Sequence, residues 1–469
     1  LSDAGQDNQS QKPHPLREIV QPFIDAARAP RALWGNNLQY FVEGFIYFGI
    51  LNYLVIYGIE YIGLDEIRAG WVASLLALGI TFSQLMFGGL ADRWGARRAL
   101  LVALFVLFIG RAVLSASGSL DLPTEGTWSP ALLVVLAGIG IIVLGYGFYE
   151  PASYTIVRQV TTAKTAAMGF AMLYALMNLG GWLPSFLWPL RESIGIVGVY
   201  WCFTGLTLAT LIVAAIILTR RTMDRAVADA RAERKREAGS SEVEPKEPPV
   251  DQSKMTRYEA LVDWLVHHPV TDLRFTFFIF ILIPVQTLFV HNWLTLPLYV
   301  SRVFKGTWLG DRYELVVNFN PLLVFIMVPI AAALTRKADV YRMMIVGTFI
   351  MAAPAFLLAL EPSIWLLGAY IVIMTIGESI WQPRFLQYAA EIAPEGRTGA
   401  YMGVARFPWF LTKMITGLYA GWFLMRYVPA EGEIHSETMW LIYGAIAMIS
   451  PVGLVFASRW MRKGFKTTA

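Results

Sequence analysis

One cysteine stands in 469 residues, Cys202, so there is no internal disulfide framework and no metal cluster built on thiolates. Charge is scarce too. Asp, Glu, Lys and Arg make up 15% of the chain, against about 25% in an average soluble domain. A water-soluble chain of this length needs more polar surface than that, which disfavours a soluble enzyme, a nucleic-acid binder or a disordered scaffold. No phosphate-binding glycine loop, nucleophile triad or metal-ligand cluster is apparent, and the adjacent pair His267-His268 is a poor metal site alone. Neither enzymatic activity nor a cofactor or metal is expected. What fills the chain is apolar: 56% hydrophobic residues and a mean hydropathy of +0.52. The 16 Trp, 20 Tyr and 28 Phe suit aromatic belts at membrane interfaces.

A membrane helix needs about 20 mainly apolar residues. Twelve such runs occur, six from Leu38–Ile59 to Ile196–Thr219 and six from Phe275–Val300 to Thr438–Trp460. None alternates polar and apolar residues as a membrane strand does. The expected fold class is therefore all-α and integral to the membrane, with twelve transmembrane helices in two six-helix halves. Bases in short loops set the orientation. Arg93, Arg97, Arg98, Arg158, Lys164, Arg336, Lys337, Arg342 and Arg397 share one side with the tail's Arg459, Arg462, Lys463 and Lys466. The other side is richer in acids, at Asp65, Glu66, Asp121, Glu125 and Glu431–Glu437. Both termini are expected on the cytoplasmic face of the cell (inner or plasma) membrane.

The organisation that follows is a segment 1–37 with an amphipathic helix at Leu16–Ala27, a bundle 38–219, a linker 220–272, a bundle 273–460 and a tail 461–469. The linker opens with charged residues and has a Ser/Glu/Pro-rich flexible middle at Gly239–Pro249. A second amphipathic helix at Tyr258–Val266 is expected to lie along the membrane. Nothing in the linker resembles a folded effector module, which weighs against a receptor or scaffold. Two halves around a central site are the layout of a secondary transporter.

The connection after the second span reads Gly88-Gly89-Leu90-Ala91-Asp92-Arg93-Trp94-Gly95-Ala96-Arg97-Arg98. It combines a glycine turn, an acid near a helix end and bases able to pair with it or cap carbonyls. This closely resembles the signature loop of the major facilitator superfamily, with Gly88, Asp92, Arg93, Gly95, Arg97 and Arg98 as its gating residues. Arg336-Lys337-Ala338-Asp339-Val340-Tyr341-Arg342 is a degenerate echo in the second half.

Four further stretches resemble the proton-coupled oligopeptide transporter family, or a divergent branch beside it. They are Glu43-Gly44-Phe45-Ile46-Tyr47-Phe48-Gly49, Gly145-Tyr146-Gly147-Phe148-Tyr149-Glu150-Pro151, the Phe170…Tyr174…Asn178-Leu179-Gly180 pattern, and Gly377-Glu378-Ser379-Ile380-Trp381-Gln382-Pro383. The departures matter as much. Tyr40 stands where the family has its first Glu, Gly44 where it has Arg, and Glu150 replaces a Lys. Val290 falls where an acid is expected, followed by His291. In that family the Arg and the Lys face a peptide carboxylate, so their loss argues against ordinary di- and tripeptide cargo.

Ionisable groups inside spans are costly and usually face a bundle interior or water. Glu43, Arg111, Glu150, His291, Glu378, Arg384, Arg406 and Lys413 are such groups. The superfamily resemblance implies that spans one, four, seven and ten line the cavity, and these carry Glu43, Glu150, His291 and Glu378. Proton coupling is accordingly assigned to Glu43, Glu378 and His291. Substrate contact is assigned to Glu43, Tyr47, Glu150, Tyr174, Asn178, His291, Glu378, Trp381 and Lys413. Arg111, Arg384 and Lys413 are candidate partners for the acids, Lys413 for Glu378 in particular, and Arg406 is expected to snorkel to the interface.

The function this predicts is secondary transport of a small peptide-like or amine-bearing solute by alternating access, coupled to protons. A proton/drug or metabolite exporter, or an uncoupled facilitator, is the alternative. The expected partners are a small-molecule substrate, protons and the lipid bilayer, not nucleic acid. An acidic cavity would favour cationic solutes.

Overall fold

The computed structural model describes residues 27–237 and 268–462 together with Ile24, except 311, 312, 337, 395 and 430. The amphipathic stretch expected at Leu16–Ala27 falls almost wholly outside the described residues, and the linker residues 238–267 fall outside them entirely. What is described is helical, with no strand among the described residues.

The first half runs α1 (Arg31–Glu60), α2 (Glu66–Phe87), the short α3 (Leu90–Trp94), α4 (Ala96–Ser117), α5 (Pro130–Val160), α6 (Ala163–Trp182) and α7 (Trp188–Ile217). Helix α8 (Arg220–Glu237) follows. The second half runs α9 (Leu273–Phe280), α10 (Ile283–Leu294), α11 (Leu296–Val303), α12 (Tyr313–Leu334), α13 (Val340–Ala352), α14 (Ile364–Ile392), α15 (Thr398–Ala405), α16 (Phe407–Tyr427) and α17 (Ser436–Arg462). Nine helices or helix runs among the described residues are long and apolar enough to cross a membrane alone. The remaining crossings are α6, α12 and the pair α15–α16. The twelve-helix, two-half fold expected from the sequence is the fold observed.

Local chemistry accounts for the ends. Asp65 accepts from the Arg68 amide to open α2, Ser129 caps α5 just before Pro130, and Thr162 and Thr165 form a reciprocal capping box on α6. Asp272 accepts from two amides at the start of α9. Two spans expected to be continuous are broken. The seventh is divided into α9, α10 and α11, with Pro284 and Pro297 in the first turns of the later pieces. The eleventh is divided at Arg406, just ahead of Pro408. Proline lacks the N–H and clashes one turn back, so a helix restarts more easily than it continues there. The charged stretch after the sixth span is itself a helix, α8, tied to the end of α5 by Arg234, whose Nε donates to the Thr161 carbonyl at 3.1 Å.

The two halves repeat one tight contact. A Cβ on Gly138 of α5 would stand 2.8 Å from the Leu114 amide nitrogen of α4, and one on Gly110 of α4 would stand 2.8 Å from that of Ile142. In the second half a Cβ on Gly347 of α13 would stand 2.9 Å from the Trp381 amide nitrogen of α14, and one on Gly377 would come closer still to that of Met351. Small residues let membrane helices approach to backbone contact, where dispersion and Cα–H···O contacts replace the missing hydrophobic drive. Each half thereby carries a rigid helix pair. Between the halves lie the polar side chains described next.

Candidate functional site

The first contact between the halves sits at the end of the bundle where α1 begins and α17 ends. Asp92 on α3 accepts hydrogen bonds from the amides of Gly399 (2.9 Å) and Ala400 (3.1 Å), in the first turn of α15. A carboxylate from one half thus satisfies the unpaired N–H groups of a helix in the other. The approach is possible because Gly88 and Gly399 meet backbone to backbone: a Cβ on Gly88 would stand 2.7 Å from the Gly399 carbonyl oxygen. Arg158, at the end of α5, donates to Thr398 Oγ1 and, at 2.8 Å, to the Ala393 carbonyl. It is therefore a bond between halves as well as a loop base. The other signature-loop residues serve the turn. Gly95 has φ +79°, Arg97 donates to the Leu218 carbonyl, and Arg93 and Arg98 are exposed. In the echo loop Asp339 accepts from the Arg342 amide at 2.7 Å and caps the helix that follows it.

Burial pushes the Asp92 carboxyl up to about 7, against the two amides and the charges of Arg158 and Arg397, which pull it down. When the contact opens and Asp92 meets water, its pKa returns to about 4. The closed contact thus holds the proton more tightly. Its contribution to closure is complete below that lower value and is lost as pH rises through about 7. Spin labels placed one on each half beside this contact should report a closed fraction that falls between pH 5 and about 7.5. The Asp92→Asn variant should show a flat profile, and an unchanged slope in that variant would remove Asp92 as the cause.

Deeper in, two further bonds join the halves. Glu150 of α5 pairs with Arg406 (Oε2 to Nε, 3.2 Å) and accepts from Gln84 Nε2 of α2 at 2.8 Å. Arg406 also donates to Tyr154 Oη at 2.9 Å, with its guanidinium 5.5 Å above that ring. Tyr154 in turn accepts from Tyr40. On the other side Glu378 of α14, fully buried, accepts from Tyr174 Oη of α6 at 2.6 Å and from Asn320 Nδ2 of α12 at 3.1 Å. Asn320 Oδ1 is buried without a partner among the described residues. Asn178 donates to the Tyr174 carbonyl within its own helix.

Several expected site residues lie elsewhere. Glu43 is not open to a cavity: Arg111 of α4 grips both its oxygens, Tyr146 donates to it, and Thr207 of α7 accepts from Arg111 at 2.6 Å. The cluster is internal to the first half, where four helices converge and exclude water. His291 is internal to the second half. Its Nδ1 lies 2.7 Å from Thr295 Oγ1, its Nε2 3.0 Å from Tyr419 Oη, and its ring stacks 3.7 Å from Tyr443. Trp381 points away from the first half, donating to Met351 Sδ in the tight α13–α14 crossing.

The expected partnerships change as well. Lys413 does not pair with Glu378; its ammonium lies 5.5 Å from the Trp409 ring centroid. Arg384 turns to the Thr335 carbonyl at the end of α12 (2.5 Å) and to Gln387 (2.9 Å). Arg406 does not snorkel, because the halves meet over it and Glu150 supplies its counter-charge. Tyr47 is partly buried, its ring edge-on to Tyr146 at 5.5 Å. A search restricted to ionisable groups passes over Gln84, Tyr154 and Asn320. The signal that finds them is a hydrogen-bonding side chain within an apolar run, one or two turns from a proline or a charge.

The family model described as Major Facilitator Superfamily matches residues 37–417. Among curated proteins, this chain is 23% identical over 157 residues to the MFS-type efflux pump MMF1 of Pseudozyma antarctica, a stretch covering 34% of this chain and 27% of that protein. It is 25% identical over 157 residues to the niacin transporter NiaP of Acinetobacter baylyi, covering 31% and 33% respectively. The matched stretches thus span about a third or less of these two relatives. Among solved structures, the MFS proton:xylose symporter XylE superposes with a TM-score of 0.61 at 14% identity, covering 92% of this chain and 96% of that one. A peptide transporter POT in complex with sulfate superposes with a TM-score of 0.56 at 19% identity, covering 93% and 96%. At these identities the likeness to solved structures is one of fold.

Proposed function

The chain belongs to the Major Facilitator Superfamily, and from that premise we propose a proton-coupled secondary transporter in which Glu378 carries the proton. The observation that carries the reading is the bond between Tyr174 and Glu378, a buried carboxylate joining the two halves at mid-depth. A hydrogen bond to an ionised acceptor is roughly twice as strong as a neutral one. Ionised Glu378 therefore holds α6 against α14. Protonated, it accepts more weakly from Tyr174, and its new O–H finds an acceptor in Asn320 Oδ1 once that amide turns over. The halves then separate at this level without stranding a bare charge.

Glu150 and Arg406 form the second bond across the interface, and neither serves as a free subsite while they are paired. The amine preference expected from an acidic cavity is not retained, because Glu43 faces Arg111 and Glu150 faces Arg406. The bases at the Asp92, Arg158 and Arg397 end support a cytoplasmic location for that end under the positive-inside rule. The cell membrane is the site we assign.

The test uses purified protein in liposomes with a trapped pH dye and a panel of dipeptides, organic amines and organic acids. A transported solute should carry protons with it and accumulate only while an inward proton gradient is held. Entry that is indifferent to the gradient and moves no protons would instead establish an uncoupled facilitator.

A further inference from the structure

Among the described residues the acids inside the spans are already answered, and Lys413 is not. Glu43 is gripped by Arg111, Glu150 by Arg406, and Glu378 is fully buried with both oxygens engaged. Lys413 makes no ion pair among the described residues; its ammonium sits over the Trp409 ring. Its side chain is nonetheless exposed.

That exposure lies away from the most exposed face of its helix. Helix α16 turns its lipid face outward at Ile415, Leu418, Trp422 and Met425, 40%, 80%, 56% and 72% exposed. At 100° per residue, Lys413 lies on the opposite side. It is seven residues beyond Arg406, hence on nearly the same stripe and about 10 Å further along the axis. Arg406 meets Glu150 of the first half, and Lys413 follows it along α16 beside Trp409. The charged groups that act on the ammonium are Arg406, which repels it, and Glu150 of the first half, which attracts it. An unpaired lysine inside a membrane bundle is tolerated where it meets water or a ligand.

A run of rings borders this position. Trp409 packs on Phe289 of α10 (4.8 Å), Phe289 on Trp293 (5.8 Å), and Trp293 reaches Phe48 of α1 across the interface (6.4 Å). The geometry points to a subsite for a small organic carboxylate: the anion against Lys413, an apolar or flat body against Trp409 and its neighbouring rings. This deepens the transport reading by naming the charge of the cargo. Carboxylate and proton entering together carry no net charge, so uptake through such a site is electroneutral.

Thermal unfolding in detergent with 10 mM sodium benzoate, benzamide or benzylamine (about 10 mM each, so that binding stabilises by mass action) separates the possibilities. Benzoate should raise the melting temperature and the neutral and amine analogues should not. The shift should vanish in Lys413→Gln and persist in Lys413→Arg, and ligand-free melting should match wild type in both. A shift with benzylamine, no shift with benzoate, or a benzoate shift retained in Lys413→Gln overturns the proposal. The measurement needs no transport. A benzoate shift without flux would sink the transport reading alone, and proton-coupled flux of amines without a benzoate shift would sink this one alone.

Discussion

Liposomes carrying the Glu378→Gln protein will accumulate no more solute under an inward proton gradient than without one. For one proton per solute, a gradient of one pH unit is about 1.4 kcal/mol and sustains about tenfold accumulation. The variant should bring that ratio to unity while exchange of labelled for unlabelled solute continues. The reason lies in the bonds around the carboxyl. A glutamine oxygen still accepts from Tyr174, and its amide donates to Asn320 Oδ1, which has no partner among the described residues. The side chain then resembles the protonated acid permanently. Motion between orientations survives and its link to the proton is cut. Accumulation that stays tenfold would assign the proton to another group, and loss of exchange as well would show that Gln blocks motion rather than coupling.

The second large effect is on stability. Arg111→Met leaves Glu43 buried at 2% exposure with only Tyr146 for company. Breaking a buried ion pair from one side typically costs about 3–5 kcal/mol, whereas replacing both partners by well-packed apolar residues is often neutral. Arg111→Met should therefore lower the unfolding free energy in detergent by about that much. Adding Glu43→Leu should restore most of it. A double variant as unstable as the single one would mean that Arg111 stabilises through packing. A single variant within 1 kcal/mol of wild type (about the scale of an exposed pair) would mean that the charges are not desolvated.

Much of this was legible in the residues. Twelve apolar runs, the Asp92 loop and the ionisable side chains inside spans are local signals, and each corresponds to an observed element. Partner choice was not local. Glu43 and Glu150 read alike as acids in cavity-lining helices, yet one is answered within its own half by α4 and the other across the interface by α16. Helix direction and face restrict which side chains can meet, but the meeting of Arg406 with Glu150 depends on how two separately folded bundles dock. Trp381 misled for a related reason. It lies three residues from a motif glutamate and only about 60° round the helix from it, yet its ring is taken up by Met351 at the crossing with α13, a neighbour that the motif does not reveal. The breaks at Arg406 and around Thr295 are legible only in part, since Pro408 and Pro297 permit a break without requiring one.

The two ends of the interface are shut by different means. Asp92, Arg158 and Arg406 close the terminal end with hydrogen bonds and an ion pair, whereas further out the halves touch through the rings of Phe48 and Trp293. The empty carrier's two resting orientations therefore differ in free energy, and the proton on Asp92 adjusts the difference. The orientation in which it waits sets how much solute is needed to half-saturate it from each face, so those two concentrations are unequal. Under the proposed coupling, the accumulation that a given proton gradient sustains is untouched, because equilibrium depends on what is carried and not on which door opens more easily.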